Sequence, residues 1–179
     1  HDTCRRQRQM CIRDRDNPAS LLYVTRKQEK AAHLGVEFNW LKLDTDTSQE
    51  TLEEVISEES KATDGLIIQL PLPSHLNPEE AINCIPHEID VDGLTSYNLG
   101  SLFSDTYKLI PATSLAVLEL LNFYNIQTED KNVVIAGRSR LVSAPLAKIL
   151  SSKSYNANVS IIHSRTTNQK LFTKEADIF

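Results

Sequence analysis

The sequence predicts an α/β fold of two domains, one over 16–104 and the other over 105–179. Two short, mostly apolar runs (66–68 and 132–136) do not alternate with polar residues, which is typical of buried strands in a parallel sheet, and 159–162 is predicted as a further parallel strand. Segments with helical spacing separate these runs and precede the first of them. Helices that alternate with strands favour a parallel sheet covered by helices.

The composition is that of an ordinary globular protein, with 40% hydrophobic and 24% charged residues. A net charge of −5 gives no reason to expect a nucleic-acid or membrane-surface partner. The cysteines Cys4, Cys11 and Cys84 are odd in number and lack metal-ligand spacing. We therefore expect no metal site and no nucleic-acid or membrane partner. The expected location is the cytoplasm, with the mitochondrion as the alternative.

Residues 1–15 differ from the rest of the chain because they hold most of its arginines. They show neither a helical nor a strand period, and they lack the apolar centre of a signal peptide. We leave this segment out of the fold and expect it to be non-native or disordered.

The first domain is predicted to alternate helices and strands. Ser20 is a candidate N-cap for a helix that ends at Gly35. Alternating apolar and polar residues favour a strand over 36–43, and Thr47 with Glu50 forms a capping box for the next helix. Further along the chain, Asn77 and Pro78 are typical of the N-cap and first turn of a short helix.

The buried strand predicted over 65–70 ends in a polar side chain. Gln69 lies at its carboxyl end, and Pro71 and Pro73 prevent both a further ladder and a helix. Ligands of open α/β sheets bind at the carboxyl ends of the strands. Gln69 is therefore either a ligand-facing amide or the polar cap of a strand end.

Two other places in the first domain have a similar ambiguity. Tyr23 and Lys27 are four residues apart on one predicted helix, so their side chains share a face. They form either a site or a surface lysine over a half-buried tyrosine. The stretch 90–93 is either a plain Asp-Gly turn or a site, and an extended backbone lets only one of its two carboxylates face a cleft.

The second domain is predicted to contain one βαβ unit, preceded by a helix that Pro111 and Thr113 open. Its strands are 132–136 and 159–162, and the turn between the first strand and the helix begins at Gly137. That turn and the helix N-terminus suit a dinucleotide phosphate, although the turn lacks the usual G-x-G-x-x-G. Residues 176–179 begin a third strand.

In this order the motifs resemble those of the bifunctional methylenetetrahydrofolate dehydrogenase/cyclohydrolase family, over about residues 16–179. The resemblance rests on five spaced motifs: Pro18-Ala19-Ser20 with Tyr23 and Lys27, Asp64-Gly65 through Pro73, Asp90-Val91-Asp92-Gly93 with Asn98 and Gly100, Gly137-Arg138-Ser139 with Val142 and Pro145, and His163-Ser164-Arg165-Thr166. It implies an N-terminal catalytic domain and an incomplete Rossmann-like NAD(P)-binding domain.

The implied chemistry is that of one-carbon metabolism. The family oxidises 5,10-methylene-tetrahydrofolate with NADP or NAD, and then hydrolyses the methenyl product to 10-formyl-tetrahydrofolate. Tetrahydrofolate derivatives are thus the implied ligands, and the full-length protein is expected to be a homodimer.

The resemblance also implies roles for residues of the folate site. Lys27 manages the proton of the hydrolysis, and Gln69 holds Lys27 by a hydrogen bond. Tyr23 takes part in catalysis and stacks on the aminobenzoate of the folate. Asp92 accepts hydrogen bonds from the pterin, and Ser20 contributes to the same site.

The cofactor is expected to be NADP, with NAD as the alternative, because no acidic residue ends the second strand of the βαβ unit. Arg138, Ser164 and Arg165 offer donors to a 2′-phosphate. The full set of expected cofactor residues is Gly137, Arg138, Ser139, Ser164, Arg165 and Thr113.

Three residues depart from the family pattern. Ser114 and Ala116 stand where the family has a proline and a glycine, and Ser143 stands where it has a glycine in a V-G-x-P turn. A side chain at 143 is expected to push its helix off the sheet or to crowd the cofactor. The chain is therefore expected to be a truncated, divergent member. The alternatives are a dehydrogenase without hydrolase activity and a binding fragment that has lost catalysis.

Overall fold

The computed structural model describes residues 6–12 and 18–179, with side chains described from residue 22 onward. By packing, this part of the chain forms two compact α/β units, the first ending at Val91 and the second running from Asp92 to Phe179. The division lies before the predicted boundary at 104/105. The reason is that Leu102 is buried in the core of the second unit.

The first unit contains a three-stranded parallel sheet with the strand order β2-β1-β3. Its elements are β1 (Arg6–Ile12), α1 (Pro18–His33), β2 (Glu37–Leu43), α2 (Gln49–Ser60), β3 (Leu66–Ile68) and α3 (Pro78–Asn83). The strand β1 lies in the segment that was left out of the predicted fold, and yet it is the central strand. Its first four residues are polar, so it lacks the apolar run by which a buried strand is predicted. The other residues of the excluded segment, 1–5 and 13–15, lie outside the described residues.

The core of the first unit lies between the sheet and α2. Leu52 and Ile56 of α2 pack with Leu66 and Ile68 of β3, and all four side chains are buried. This confirms that the apolar run 66–68 is a strand buried on both faces. Because β3 is only three residues long, Gln69 already lies beyond its last ladder residue.

Two predicted helix N-caps are wrong. The helix α1 begins at Pro18, which suits a first turn, so Ser20 lies inside the helix and is not its N-cap. The N-cap of α2 is Ser48, whose Oγ accepts a hydrogen bond from the Thr51 N–H at 3.1 Å. Thr47 instead donates its hydroxyl to the Asp44 carbonyl at 2.6 Å.

The second unit is built on the predicted βαβ arrangement. Its elements are α4 (Ser96–Phe103), α5 (Ala112–Phe123), β4 (Asn132–Ala136), α6 (Ser143–Leu150), β5 (Asn158–Ile162) and α7 (Gln169–Glu175). The strands β4 and β5 pair in parallel, and Ile178 forms a parallel bridge with Val133 where a third strand was expected to begin. The helices α4 and α7, of eight and seven residues, were not predicted.

The helix α6 packs closely on this sheet. Leu146, Ile149 and Leu150 are buried together with Val133. The expectation that Ser143 pushes the helix off the sheet is therefore wrong: Ser143 is the first residue of α6 and is itself buried. Of the helices in the described part of the chain, none is long and apolar enough to cross a membrane.

Candidate active site and dinucleotide cleft

A lysine and a glutamine meet at the carboxyl end of β3. Lys27 Nζ donates a hydrogen bond to Gln69 Oε1 at 3.2 Å, and both side chains are half-buried. Gln69 Nε2 donates to the Leu70 carbonyl at 3.1 Å. An ammonium can only donate, so Lys27 orients the amide of Gln69 with its oxygen toward α1. This is the contact that the resemblance implies, while the catalytic role of the pair stays a prediction.

The local sequence explains why Gln69 is held at this edge. The three residues of β3 are buried, and Gln69 is the first side chain after them that is partly accessible. The chain then leaves through Pro71 and Pro73, which have no N–H to continue the ladder. The amide thus follows a rigid strand directly, which suits a residue that must hold another side chain in place.

Tyr23 lies one helical turn before Lys27 on α1. Its side chain is 61% exposed, while the adjacent Val24 is fully buried and anchors α1 on the first unit. The four-residue spacing places Tyr23 and Lys27 on the same face of the helix, as predicted. The exposed ring leaves an aromatic surface to which a planar ligand can bind.

The other two expected folate residues are less fully described. Ser20 lies in the first turn of α1, among the residues whose side chains are outside the description. Asp92 begins the second unit and is half-buried, while Asp90, two residues earlier, is only 1% exposed and forms a bridge with Leu66. The backbone at 91 and 92 forms a turn and is not extended, as in the Asp-Gly alternative. The two carboxylates have different environments, and the role of Asp92 stays a prediction.

A cleft of about 420 Å³ lies at the carboxyl ends of β4 and β5. Three of the predicted cofactor residues line it, namely Gly137, Arg138 and Ser164. The other three, Ser139, Arg165 and Thr113, are exposed and do not belong to its lining. Gln169 of α7 also lines the cleft, and it was missed because α7 itself was not predicted.

The backbone at the start of the turn requires glycine. Gly137 has φ +130°, in the region that L side chains rarely adopt, and its N–H donates to the Ile162 carbonyl at 2.7 Å. A Cβ on Gly137 would lie 2.9 Å from Ser143 Oγ. A narrow turn of this kind, before a helix N-terminus, is the arrangement that brings backbone N–H groups close to a phosphate.

Hydrogen bonds also hold the loop after β5. The His163 N–H donates to Thr166 Oγ1 at 2.9 Å, and the Arg165 N–H donates to His163 Nδ1 at 3.2 Å. Gln169 Nε2 donates to the His163 carbonyl at 3.0 Å. These contacts hold the backbone around Ser164 at the mouth of the cleft. Among the described residues, no group of three or more His, Cys, Asp and Glu side chains has an arrangement that suits a metal ion.

Two models of one protein family match this chain. Residues 4–92 match the family model described as tetrahydrofolate dehydrogenase/cyclohydrolase, catalytic domain, and residues 111–179 match the model of the NAD(P)-binding domain of the same family. The chain is 41% identical over 165 residues to the bifunctional protein FolD of Streptococcus agalactiae serotype Ia. The matched region covers 91% of this chain and 57% of the relative. It therefore spans little more than half the length of this curated relative.

Solved structures agree with this comparison. The crystal structure of the bifunctional enzyme FolD from Campylobacter jejuni matches with a TM-score of 0.90 and 31% identity, over 97% of this chain and 61% of the other. The FolD structure from Trypanosoma brucei, complexed with NADP cofactor and inhibitor, matches with a TM-score of 0.87 and 28% identity, over 97% and 59%. Because both domain models match in order along the chain and the fold agrees, this chain belongs to the tetrahydrofolate dehydrogenase/cyclohydrolase family.

Proposed function

We propose that the protein oxidises 5,10-methylene-tetrahydrofolate to the 5,10-methenyl compound with NADP, and then hydrolyses that compound to 10-formyl-tetrahydrofolate. The observation that carries the proposal is the hydrogen bond from Lys27 to Gln69 at the end of β3. Support comes from the two domain models and from the Campylobacter jejuni enzyme, whose name states both activities.

Hydrolysis is the step that needs a side chain able to hold and move a proton. Addition of water to the methenyl carbon releases a proton overall, and we assign the transfer of this proton to Lys27 Nζ. An ammonium has three N–H donors, and Gln69 Oε1 accepts one of them at 3.2 Å. Gln69 thus holds Nζ in one position and takes no part in proton transfer itself.

Hydride transfer depends mainly on the placement of the two reactants and needs no acid or base. NADP, when bound, supplies the nicotinamide carbon that accepts the hydride. We assign stacking on the folate to Tyr23, whose ring is exposed, and recognition of the pterin N–H groups to Asp92. Ser20, in the first turn of α1, stays an expected member of the same site.

The second unit has residues that suit a dinucleotide phosphate. Gly137 begins the turn with a backbone conformation that L side chains rarely adopt, and the cleft beside it is about 420 Å³ in volume. Arg138 and Ser164 line that cleft and provide a cation and a hydroxyl for a 2′-phosphate. This supports NADP over NAD. Comparing the rates with the two cofactors tests the preference, and equal use would contradict it.

Two other functions remain as alternatives. A dehydrogenase without hydrolase activity has no use for the contact between Lys27 and Gln69, so this contact argues against it. A binding module that has lost catalysis is suggested by Ser114, Ala116 and Ser143. The close packing of α6, which begins with the buried Ser143, weakens that argument. We propose that the enzyme is a homodimer and that it works in the cytoplasm or in the mitochondrion.

Replacing Lys27 tests the proposal directly, in the protein expressed from the complete reading frame that encodes this chain. Lys27→Met keeps the length of the side chain but cannot transfer a proton, so methenyl hydrolysis should fall by about 10²–10⁴-fold. NADP reduction should fall much less. Lys27→Arg should fail nearly as badly in hydrolysis, because a guanidinium stays charged.

Lys30→Met is the matched control, since Lys30 is an exposed lysine on the same helix. Both of its activities should remain normal. Normal hydrolysis in Lys27→Met would refute the role of Lys27. A wild-type protein that lacks both activities would instead support the module that has lost catalysis.

A further inference from the structure

The peptide groups on either side of Val142 are held by two serines. The Val142 N–H donates to Ser139 Oγ at 3.1 Å, and the Val142 carbonyl accepts a hydrogen bond from Ser114 Oγ at 3.1 Å. The same carbonyl also accepts the first helical hydrogen bond of α6, from the Leu146 N–H at 3.0 Å. Both lone pairs of this oxygen are therefore in use.

Val142 is the N-cap residue of α6, at the end of the turn that lines the dinucleotide cleft. Its side chain is aliphatic, and within the described structure it makes no capping hydrogen bond. Helices are usually capped by Ser, Thr, Asp or Asn at this position. The orientation of the first turn of α6 thus depends on hydrogen bonds that come from elsewhere in the second unit.

Ser114 is the distant one of the two serines. It lies on α5, 28 residues before Val142, and its side chain is fully buried. A proline, which the resemblance implies at this position, has no hydroxyl and could not make this contact. This chain therefore links α5 to the start of α6 by a hydrogen bond that its own sequence supplies.

We propose that Ser114 is a positioning residue of the dinucleotide cleft, and that its hydrogen bond to the Val142 carbonyl holds the turn 137–143 in the conformation that receives the phosphates. The proposal rests on the proposed cofactor function. The turn leaves little room for error, because a Cβ on Gly137 would already lie 2.9 Å from Ser143 Oγ. A small shift of Val142 would move the backbone N–H groups of the α6 start away from a bound phosphate.

The test compares two variants that each lose one hydroxyl. Ser114→Ala removes the donor to Val142. Thr128→Val is the matched control, because Thr128 is also buried and its Oγ1 donates to the distant Tyr155 carbonyl at 2.8 Å. Thr128 and Tyr155 precede β4 and β5, so they lie at the amino ends of these strands, whereas the cleft lies at the carboxyl ends.

Three measurements are made on each protein: NADP affinity by calorimetry, steady-state kinetics, and hydrogen exchange over 137–146 without ligand. Ser114→Ala should bind NADP about 2- to 10-fold more weakly, the equivalent of one neutral hydrogen bond. The KM for NADP should rise while kcat changes little. Exchange over 137–146 should be faster. Thr128→Val should show none of these changes, although it too should unfold more easily.

Unchanged exchange over 137–146 in Ser114→Ala would overturn the proposal, and so would unchanged NADP affinity. An equal loss of affinity in Thr128→Val would also overturn it, because the effect would then be one of general stability. A wild-type protein that does not bind NADP would refute the proposed cofactor function. The exchange measurement needs no ligand, so it would still decide whether Ser114 holds the turn.

Discussion

Replacing Gly137 by alanine should destabilise the second unit, because the backbone there has a conformation that suits only glycine. Its φ of +130° lies far from the regions that alanine prefers. A residue forced into such a region costs about 1–3 kcal/mol of stability. We expect Gly137→Ala to lower the free energy of unfolding of this unit by that amount.

A steric contribution adds to the backbone cost but should be the smaller of the two. The new Cβ would lie 2.9 Å from Ser143 Oγ, which is closer than real Cβ contacts allow. The hydroxyl of a serine can rotate about χ1, so it can relieve most of this contact. The double variant Gly137→Ala/Ser143→Gly removes the contact altogether. The coupling energy in this cycle should therefore stay below about 1 kcal/mol.

The assay is native-state hydrogen exchange of the β4 backbone amides, 132–136, which reports the opening of the second unit separately from the first. Gly100→Ala is the control. Gly100 lies inside α4. A Cβ added there would have no atom of the described structure within 4 Å, apart from the neighbouring backbone of the helix itself. Alanine should stabilise that helix by about 0.5–1 kcal/mol. The reasoning would be refuted if Gly137→Ala were neutral, or stabilising like Gly100→Ala.

Two further predictions concern the first unit. Asn77→Ala should lower the free energy of unfolding in urea by about 1 kcal/mol, because Asn77 Oδ1 accepts hydrogen bonds from two backbone N–H groups of α3, at 3.0 and 3.4 Å. Asn83→Ala should have a smaller effect, because Asn83 lies at the exposed end of that helix. Equal losses of stability in the two variants would contradict the capping role. Burial, followed by the carboxylates of Glu53 and Glu80, raises the pKa of the Cys84 thiol. At mildly alkaline pH, Cys84 should therefore be alkylated more slowly in the folded than in the unfolded protein. Site-resolved mass spectrometry can measure the two rates. The unfolded thiol loses its proton first, so this group's contribution to stability is lost as the pH rises through its folded pKa; faster alkylation of the folded protein would contradict the prediction.

Elements with a strong local signal could be predicted from the residues that form them. The apolar residues 66–68 and 133–135 lie in strands because an uninterrupted apolar run is best satisfied by burial in a sheet. Asn77 caps α3 because its short side chain reaches the N–H groups two and three residues later. The turn at Gly137 also follows from local chemistry, since it requires a residue without Cβ.

Elements without such a signal could not be predicted in this way. The strand β1 begins with four polar residues, and it is a strand because β2 and β3 pair with it on both sides. The choice of Ser48 over Thr47 as the N-cap of α2 depends on which hydroxyl the chain brings to the Thr51 N–H. Neither result can be read from hydrophobic spacing, because both depend on where other parts of the backbone lie.

The candidate site shows the same division between local and long-range information. The sequence alone places Lys27 on a helix face and Gln69 at a strand end, and the family resemblance pairs them. The distance of 3.2 Å between them joins residues 42 positions apart, so only the packing of α1 beside the sheet could decide it. The contact between Ser114 and Val142 had no signal in the sequence at all. It exists because burial of α5 and α6 in one core leaves a hydroxyl opposite a carbonyl, and a buried polar group is stable only when it finds such a partner.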